Sequence, residues 1–229
     1  MEAGHMTLSI IVPMRNEAQA LPDLLERLRP LAQQGCEVIL VDGGSEDDSP
    51  GIAQGAGFVV LPSAPGRARQ MNAGAARATG EVLLFLHADT QLPLGGARLA
   101  EQALADGAHR WGRFDVRIAG RPWMLRVVAF LMNRRSRWSG IATGDQAMFV
   151  ARATFDAVGG FPDQPLMEDI ALSGRLRAVS RPACLRARVT TSGRRWETRG
   201  VWRTIVLMWR LRWAYWRGVP AAQLAKAYA

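Results

Sequence analysis

The chain has 229 residues, of which 48% are hydrophobic and 21% are charged, which is the composition of a folded globular protein and excludes a disordered one. Its net charge of +9 is uneven, because residues 1–110 carry 8 Lys/Arg against 13 Asp/Glu and residues 111–229 carry 21 against 7. The basic second half favours an anionic partner there: a phosphorylated substrate, an anionic membrane surface or nucleic acid.

Short aliphatic runs alternate with helical patterns through the first half of the chain. In chain order the sequence predicts a strand at 8–12, a helix at about 20–33, a strand at 37–41, a helix at about 47–55, a strand at 58–61, a helix at 66–78, a strand at 82–86 and a helix at about 94–106. This βαβ alternation predicts a mostly parallel sheet in an α/β fold.

The rhythm changes in the second half. The sequence there predicts strands at 112–118, 147–150 and 184–190 and helices near 123–134 and 167–178. A last helix runs from Gly200 to Arg217 and ends at Gly218, with Pro220 just beyond. We expect residues 1–6 to be a tag or leader, residues 7–218 to form one domain with parts 7–110, 111–198 and 199–218, and residues 219–229 to be a tail.

Neither the cysteines nor the hydropathy indicates an extracellular or membrane-spanning protein. Cys36 and Cys184 lie far apart and lack metal-ligand spacing, which is typical of a reducing compartment. No stretch reaches the roughly 18 uncharged apolar residues of a spanning helix. We therefore expect a cytoplasmic location.

Acidic loops follow three strands of the first half: PMRNE, DGGS and HADT. Because the carboxyl ends of parallel strands meet at one edge of a sheet, these loops are expected to converge on one ligand. Asp42 suits hydrogen bonding to a base or ribose hydroxyl, although an Asp there also caps its own turn. Asp89 suits a Mg²⁺ or Mn²⁺ ion on a diphosphate, which needs only one or two protein carboxylates.

Two helix starts are further candidates. Glu168 and Asp169 open the helix predicted near 167–178, where acids are favoured by the helix dipole; the alternative is that one carboxylate is a general base. The segment Gly66–Asn72 opens a helix with arginines, which suits an anion. It lacks the Walker spacing, and no G-x-G-x-x-G follows a strand, so kinase-like and dinucleotide-binding functions are disfavoured.

Taken in order, the segments PMRNE, VDGGSEDDS, GRARQMNAG, LHADT, GDQAMFV and EDIAL resemble the inverting family 2 glycosyltransferases of GT-A fold, most closely the small bacterial branch described as radical-SAM/selenodomain-associated. The resemblance covers about residues 7–218. It implies a three-layer α/β/α sandwich with a mostly parallel central sheet and a Rossmann-like nucleotide-binding half. It also implies transfer of a single sugar, with inversion, from a nucleotide-diphosphate sugar that we expect to be a UDP-sugar. The acceptor stays open among a lipid phosphate, a metabolite and a glycan.

The resemblance also assigns roles to residues. Asp169 matches the catalytic base, with Glu168 beside it, and Asp89 matches the last acid of the DxD motif, a ligand of Mn²⁺ or Mg²⁺, whose first acid is replaced here by His87. The residues expected to bind the donor nucleotide are Pro13, Arg15, Asn16, Glu17, Asp42, Gly43, Arg67, Gln70, Asn72, Ala88 and Asp89. Those expected to face the donor sugar and acceptor are Gly144, Asp145, Gln146, Arg195 and Trp196.

The last predicted helix carries an aromatic face and a basic stripe. The face consists of Trp202, Trp209, Trp213 and Trp216, and the stripe of Arg203, Arg210 and Arg217. Such a helix lies either at an anionic membrane surface, on its inner face, or packs its tryptophans onto the sheet domain. The segment from Arg121 to Trp138 either joins the same surface or flanks the acceptor cleft.

Two rival functions remain at this stage. A nucleotidyltransferase that makes nucleotide sugars shares the sheet architecture, but Lys226 is the only lysine and the first loop is not the glycine-rich loop typical of those enzymes. A basic, tryptophan-rich module without catalysis that binds nucleic acid or membrane leaves the acidic loops unexplained. We expect no nucleic-acid partner, and a homodimer is a further expectation.

Overall fold

The structure is a computed structural model that describes residues 7–228. The tag or leader predicted for residues 1–6 lies outside the described residues. The strands are β1 Leu8–Met14, β2 Glu37–Asp42, β3 Val59–Pro62, β4 Val82–Phe85, β5 Thr90–Gln91, β6 Trp111–Ala119, β7 Phe149–Ala151 and β8 Ala183–Ser192. The helices are α1 Leu21–Gln33, α2 Ser49–Gly55, α3 Arg67–Arg77, α4 Gly96–Ala105, α5 Met124–Ser139, α6 Arg152–Ala157, α7 Glu168–Val179, α8 Arg194–Arg199, α9 Val201–Trp216 and α10 Ala221–Tyr228.

All strands form one sheet in the order β3-β2-β1-β4-β7-β6-β8-β5. The first four strands of this order pair in parallel, as the βαβ alternation predicts. Strand β7 is antiparallel to both β4 and β6, β6 pairs in parallel with β8, and β5 closes the edge in antiparallel pairing. The predicted α/β fold with a mostly parallel sheet is confirmed, and the antiparallel pairs lie where the βαβ rhythm stops.

Helices cover both faces of the sheet. Alternate residues of a strand point to opposite faces, so Ile10 and Val12 join the core cluster that contains residues of α1 and α4. Ile11, between them, joins a second cluster with residues of α3 and α7. Burial on both faces explains why the strands are continuous aliphatic runs, and it confirms the three-layer arrangement.

The C-terminal region differs from the sequence prediction. Helix α9 is present as expected, but the predicted tail contains helix α10 within the described residues. Leu224 of α10 packs with Leu211 of α9 and Met167 in a small third cluster. The segment AAQLAKAY is rich in strong helix formers, which explains why it is helical. Gly218, with a positive φ, forms the turn between α9 and α10.

Helix α3 approaches the sheet closely because Gly74 has no side chain. A Cβ atom added at Gly74 would lie 2.4 Å from Cγ2 of Ile11 and 3.0 Å from Cγ2 of Val41, both in the buried core. We expect Gly74→Ala to lower the free energy of unfolding by about 1–3 kcal/mol, because the core must shift to admit a methyl group.

Urea unfolding of the purified protein measures this effect. The matched control is Gly55→Ala in α2, where a Cβ would meet nothing within 4 Å. Because Ala has the higher helix propensity, the control is expected to keep or raise stability. Equal destabilisation by both substitutions would show that the close approach of α3 does not limit the fold.

Candidate active site

A cavity of about 980 Å³ lies where the loops after β1 and β4 meet the second half of the chain. Its walls also include the 3₁₀ turn Gly144–Gln146, the start of α7, and residues of α5, α8 and α9. The structure brings together here nine of the residues predicted for the site, namely Glu17, Arg67, Asp89, Gly144, Asp145, Glu168, Asp169, Arg195 and Trp196.

The loops after β1 and β2 are tied to each other. The Asn16 backbone N–H donates to Ser45 Oγ (3.0 Å), and its side-chain Oδ1 accepts from the Glu46 N–H (2.8 Å). The Ala18 N–H donates to Asp47 Oδ2 at 3.1 Å. Asn16 also adopts a left-handed backbone, with φ of 55°. Two of the three acidic loops therefore form one unit at the carboxyl edge of the sheet.

Asp42 is partly used by its own turn. Its carboxylate accepts from the backbone N–H groups of Gly44 and Ser45 at 3.1–3.2 Å and from Ser45 Oγ at 2.5 Å. The turn-capping alternative therefore holds for Asp42. It does not line the cavity described above, and neither do Arg15 and Asn16, which are exposed beside it.

Three amide side chains predicted for the site form hydrogen bonds within the protein. Gln70 is buried, and its Nε2 donates to the carbonyls of Met14 and Val41, both at 2.8 Å, so it joins the ends of β1 and β2. Asn72 exchanges two hydrogen bonds with the Phe161 backbone. Gln146 is fully buried and closes a capping box with Thr143. These three amides are engaged by the fold, and their donor or acceptor contacts stay predictions.

Three small or apolar residues predicted for the donor site also lie outside the cavity lining. Pro13 and Ala88 are buried in the core, and Gly43 is buried against the Gln70 amide, which a Cβ would meet at 2.7 Å. Within the described residues, all three pack the loops against the core.

Asp169 and Glu168 form a buried acidic pair at the start of α7. Asp169 Oδ2 accepts from the Gly144 N–H at 2.9 Å, and Oδ1 accepts from the Ile170 N–H at 2.7 Å. Burial raises the pKa of Asp169 above its ordinary value despite these two donors. Burial and the adjacent Asp169 raise the pKa of Glu168 as well. A carboxylate with a raised pKa is the stronger proton acceptor, which suits a general base.

His87 and Asp145 form a second pair on the cavity wall. His87 Nδ1 lies 3.5 Å from Asp145 Oδ1. Burial opposes ionisation of Asp145, but the hydrogen bond and charge of His87 outweigh it and lower the pKa of this carboxyl. Gly144 is required beside them, because a Cβ there would lie 2.3 Å from the His87 ring. His87, which the resemblance aligns with the first acid of the DxD motif, thus contacts an acid from the second half of the chain.

The residues present fit a divalent cation held largely by substrate oxygens. Asp89 is exposed on the cavity wall, and the only side-chain donor to its carboxylate among the described residues is Thr90 Oγ1, at 3.3 Å. Burial and the charge of Asp89 raise the pKa of Glu17, so negative charge is concentrated here. No group of three His, Cys, Asp or Glu side chains within residues 7–228 forms a metal cage. One carboxylate with diphosphate oxygens and water is the coordination that Mg²⁺ prefers.

The opposite wall of the cavity is apolar and basic, and sequence reasoning assigned most of it no specific role. Helix α5 contributes Val128, Leu131 and Met132 next to Arg134 and Arg135, and α9 contributes apolar residues next to Arg212. The segment containing α5 was predicted to flank the acceptor cleft or to join a surface. In the sequence, the apolar run followed by two arginines was the pattern that could have indicated this wall.

The tryptophans of α9 are exposed, so the alternative that they pack onto the sheet domain is wrong. Trp209 is 75% exposed and Trp216 81%, whereas the helix buries Leu211 on its opposite side. Arg203, Arg210 and Arg217 are exposed as well. Trp209 of α9 and the exposed Leu131 of α5 both line the cavity, so they lie at its rim.

The raised pKa of Asp169 predicts a pH dependence of stability. The unfolded pKa of an aspartate is about 3.9. Because folding raises it, the contribution of this group is most favourable below that value and is lost as pH rises through the folded pKa. We expect Asp169→Asn to raise the melting temperature at pH 8 relative to the parent, and to lose that advantage toward pH 4.

Thermal melts across this range test the expectation. Asp156→Asn, on the exposed side of α6, is the matched control and is expected to leave the pH profile of the melting temperature unchanged. A lower melting temperature of Asp169→Asn at pH 8 would contradict a buried, unfavourably ionised carboxylate.

Comparison with known proteins places this site in a family. The chain is similar to an undecaprenyl-phosphate 4-deoxy-4-formamido-L-arabinose transferase of Pseudomonas syringae pv. syringae, at 33% identity over 154 residues, which are 60% of this chain and 44% of that protein. The chain thus spans less than half the length of the curated relatives it matches.

Solved structures share the fold. S. aureus TarS, residues 1–349, matches 82% of this chain and 61% of its own, with a TM-score of 0.64 and 18% identity. The mannosyltransferase PcManGT from Pyrobaculum calidifontis, solved with GDP-Man and Mn²⁺, matches 92% of this chain and 61% of its own, with a TM-score of 0.63 and 21% identity. These likenesses confirm the expected GT-A fold.

The family model described as "Glycosyl transferase family 2" matches residues 9–153. That range contains the three acidic loops, the arginine-rich start of α3 and the turn Gly144–Gln146. The chain belongs to glycosyl transferase family 2.

Proposed function

We propose that this chain transfers a single sugar, with inversion, from a nucleotide-diphosphate sugar to a lipid phosphate at a membrane surface. The observation that carries the proposal is the buried Asp169 carboxylate, with its raised pKa, in the same cavity as Asp89 and Arg67. Family membership favours this function over a nucleotidyltransferase or a non-catalytic nucleic-acid module.

The donor diphosphate is proposed to bind between the start of α3 and the loop after β4. Arg67 and Arg195 line this part of the cavity, and burial together with the nearby Arg67 lowers the pKa of Arg195. Asp42 is proposed to contact the base or ribose through the lone pairs that its turn leaves free. S. aureus TarS has been solved with UDP-GlcNAc and PcManGT with GDP-Man, and we propose a UDP-sugar here.

The proposed transfer is a single in-line displacement. An acceptor oxygen forms a bond to the anomeric carbon while the bond to the diphosphate oxygen breaks, and the electron pair leaves with the nucleotide diphosphate. Asp169 takes the proton of a protonated acceptor oxygen. Its two backbone donors, Gly144 and Ile170, hold it in place without neutralising it.

The leaving group gains negative charge as the bond breaks. Arg67 and Arg195, which line the cavity, are proposed to offset that charge. Mn²⁺ or Mg²⁺, held by Asp89, would supply further charge neutralisation at the diphosphate.

The proposed acceptor follows from the mixed walls of the cavity. Val128, Leu131 and Met132 from α5 face Ile205 and Met208 from α9, and arginines flank both sets. An acceptor with an apolar chain and an anionic head matches this arrangement. The arabinose transferase relatives are named for undecaprenyl phosphate, which has that chemistry.

Membrane contact is proposed for the exposed apolar surface of the α5 region and α9, which reaches the cavity at Leu131 and Trp209. Its aromatic and aliphatic residues are exposed, and the basic stripe of α9 runs beside them. We name this surface the aromatic rim; it consists of Trp123, Phe130, Leu131 and Trp138 of the α5 region and Trp202, Val206, Trp209, Trp213 and Trp216 of α9. Exposed tryptophans with arginines suit the headgroup level of an anionic bilayer. Within residues 7–228, none of the helices has the length and apolar composition of a membrane span.

Replacing the base tests the catalytic proposal. We expect Asp169→Asn to lower transfer from UDP-sugar to undecaprenyl phosphate by about 10²–10⁴-fold, because proton acceptance is lost. The dissociation constant for UDP should stay within about twofold, since Asp169 lies apart from the proposed nucleotide loops. Turnover and UDP binding are measured in the same detergent with Mn²⁺, over a panel of UDP-, GDP- and dTDP-sugars.

Asp156→Asn is again the control and is expected to keep parental turnover. If Asp169→Asn turns over as fast as the parent, Asp169 is not the general base. Failure of the parent to bind any nucleotide sugar, with or without Mn²⁺, would remove the donor proposal itself.

Membrane contact is tested by sedimentation with vesicles. We expect the protein to bind phosphatidylglycerol vesicles more tightly than phosphatidylcholine vesicles, and less tightly as salt rises. Because each basic residue near an anionic surface contributes about 1 kcal/mol, Arg210→Gln should weaken binding about fivefold. Trp209→Ala should weaken binding to both vesicle types.

Leu94→Ala is the control for apolar exposure, because Leu94 is fully exposed in the loop before α4 and belongs to neither the α5 region nor α9. Its vesicle binding should equal that of the parent. Salt-independent sedimentation, or equal loss in Leu94→Ala and Trp209→Ala, would contradict docking through the aromatic rim.

A further inference from the structure

Arg135 departs from the rule that buried charged groups are paired. It lies in α5, and its Nε and Nη2 atoms are buried without a hydrogen-bond partner in the described part of the chain. A buried, unpaired charge is costly, and native structures retain one mainly where another group completes it. Both nitrogens are therefore free to donate to a group that enters the cavity.

The neighbouring side chains are already engaged. Asp115, the nearby carboxylate of β6, is paired with both Arg113 and Arg137, the latter at 2.8 Å. Burial lowers the pKa of Arg135, Asp169 opposes this fall, and the buried Arg113 adds to it. Asp115 is thus already paired with Arg113, and the positive charge of Arg113 repels the guanidinium of Arg135.

The position of Arg135 is fixed by the packing of α5 on β6. Asn133 accepts from the Val116 N–H at 2.8 Å and donates to the Val116 carbonyl at 3.0 Å, and Arg113 donates to the Asn133 carbonyl at 3.2 Å. These contacts lie only two residues before Arg135. The packing of α5 on β6 therefore holds the guanidinium of Arg135 in the cavity wall.

The surroundings of Arg135 differ from the donor side of the cavity. Leu131 lies four residues earlier, and residues at this spacing share one face of a helix. Both line the cavity, with the exposed Leu131 at the rim. The α5 wall thus leads from an apolar entrance to an unpaired cation beside Asp169, whereas Arg67 and Asp89 come from the loops of the first half.

We propose that Arg135 binds the phosphate of the acceptor, an assignment that rests on the proposed transfer to a lipid phosphate. A guanidinium presents two parallel N–H groups that match two oxygens of a phosphate monoester. Bound there, the phosphate places a further oxygen near Asp169 and lets its apolar chain run along α5 toward the rim.

The test measures binding to the full purified chain in a fixed detergent, without turnover. The probes are geranylgeranyl phosphate, the matching alcohol geranylgeraniol, glycerol 3-phosphate and UDP. We expect Arg135→Met to weaken binding of geranylgeranyl phosphate about tenfold to a hundredfold, which is the loss of hydrogen bonds to a charged group. Affinities for UDP and geranylgeraniol should be unchanged, and Arg135→Lys should be intermediate.

A second readout separates binding from a structural role. Removing an unpaired buried charge should keep or raise the melting temperature of the ligand-free protein in Arg135→Met. The matched control is Arg126→Gln, an exposed arginine of the same helix outside the cavity lining. It is expected to keep all four affinities.

Three outcomes overturn the assignment: unchanged geranylgeranyl phosphate affinity in Arg135→Met, equal losses for the phosphate and the alcohol, or a lower melting temperature with loss of UDP binding. Glycerol 3-phosphate that binds as tightly as geranylgeranyl phosphate, and is lost in Arg135→Met, supports the phosphate site but contradicts the lipid acceptor. A parent that binds the lipid phosphate but no nucleotide contradicts the proposed transfer and leaves the assignment of Arg135 supported.

Discussion

The position of the Asp169 carboxylate depends on one hydrogen bond between distant parts of the chain. The Gly144 N–H, in the turn between α5 and β7, donates to an oxygen at the start of α7. Gly144 also packs directly on the ring of His87 at the end of β4. The contact therefore joins the parallel half of the sheet, the turn and α7 at one point.

The cavity joins two kinds of surface that rarely share one wall. In the described residues, its lining includes seven arginines and five acids, together with the apolar side chains of α5 and α9. Glu17 and Asp89 come from the loops after β1 and β4, the other three acids from the turn Gly144–Gln146 and the start of α7, and the apolar residues mainly from α5 and α9. Such a site is suited to join a polar molecule to an amphiphilic one.

The sequence was most informative where local pattern fixes the structure. Aliphatic runs followed by acidic loops located the strands and the edge where Asp89 and Glu17 meet. The sequence was least informative about hydrogen bonds between residues far apart in the chain. The Gln70 amide donates to carbonyls 29 and 56 residues away, and no rule of sequence spacing predicts such contacts. The tryptophans of α9 share a face by periodicity, but periodicity does not tell which face is buried. Arg135 looks like a surface arginine until α5 is packed against β6.

The tie between the loops after β1 and β2 has a consequence for how a ligand arrives. Asn16 and Asp47 bond to backbone N–H groups of the opposite loop, so both segments are ordered by the fold before any ligand is present. A loop that is already ordered loses little conformational entropy on binding. Binding at such an edge therefore does not have to wait for these two loops to fold.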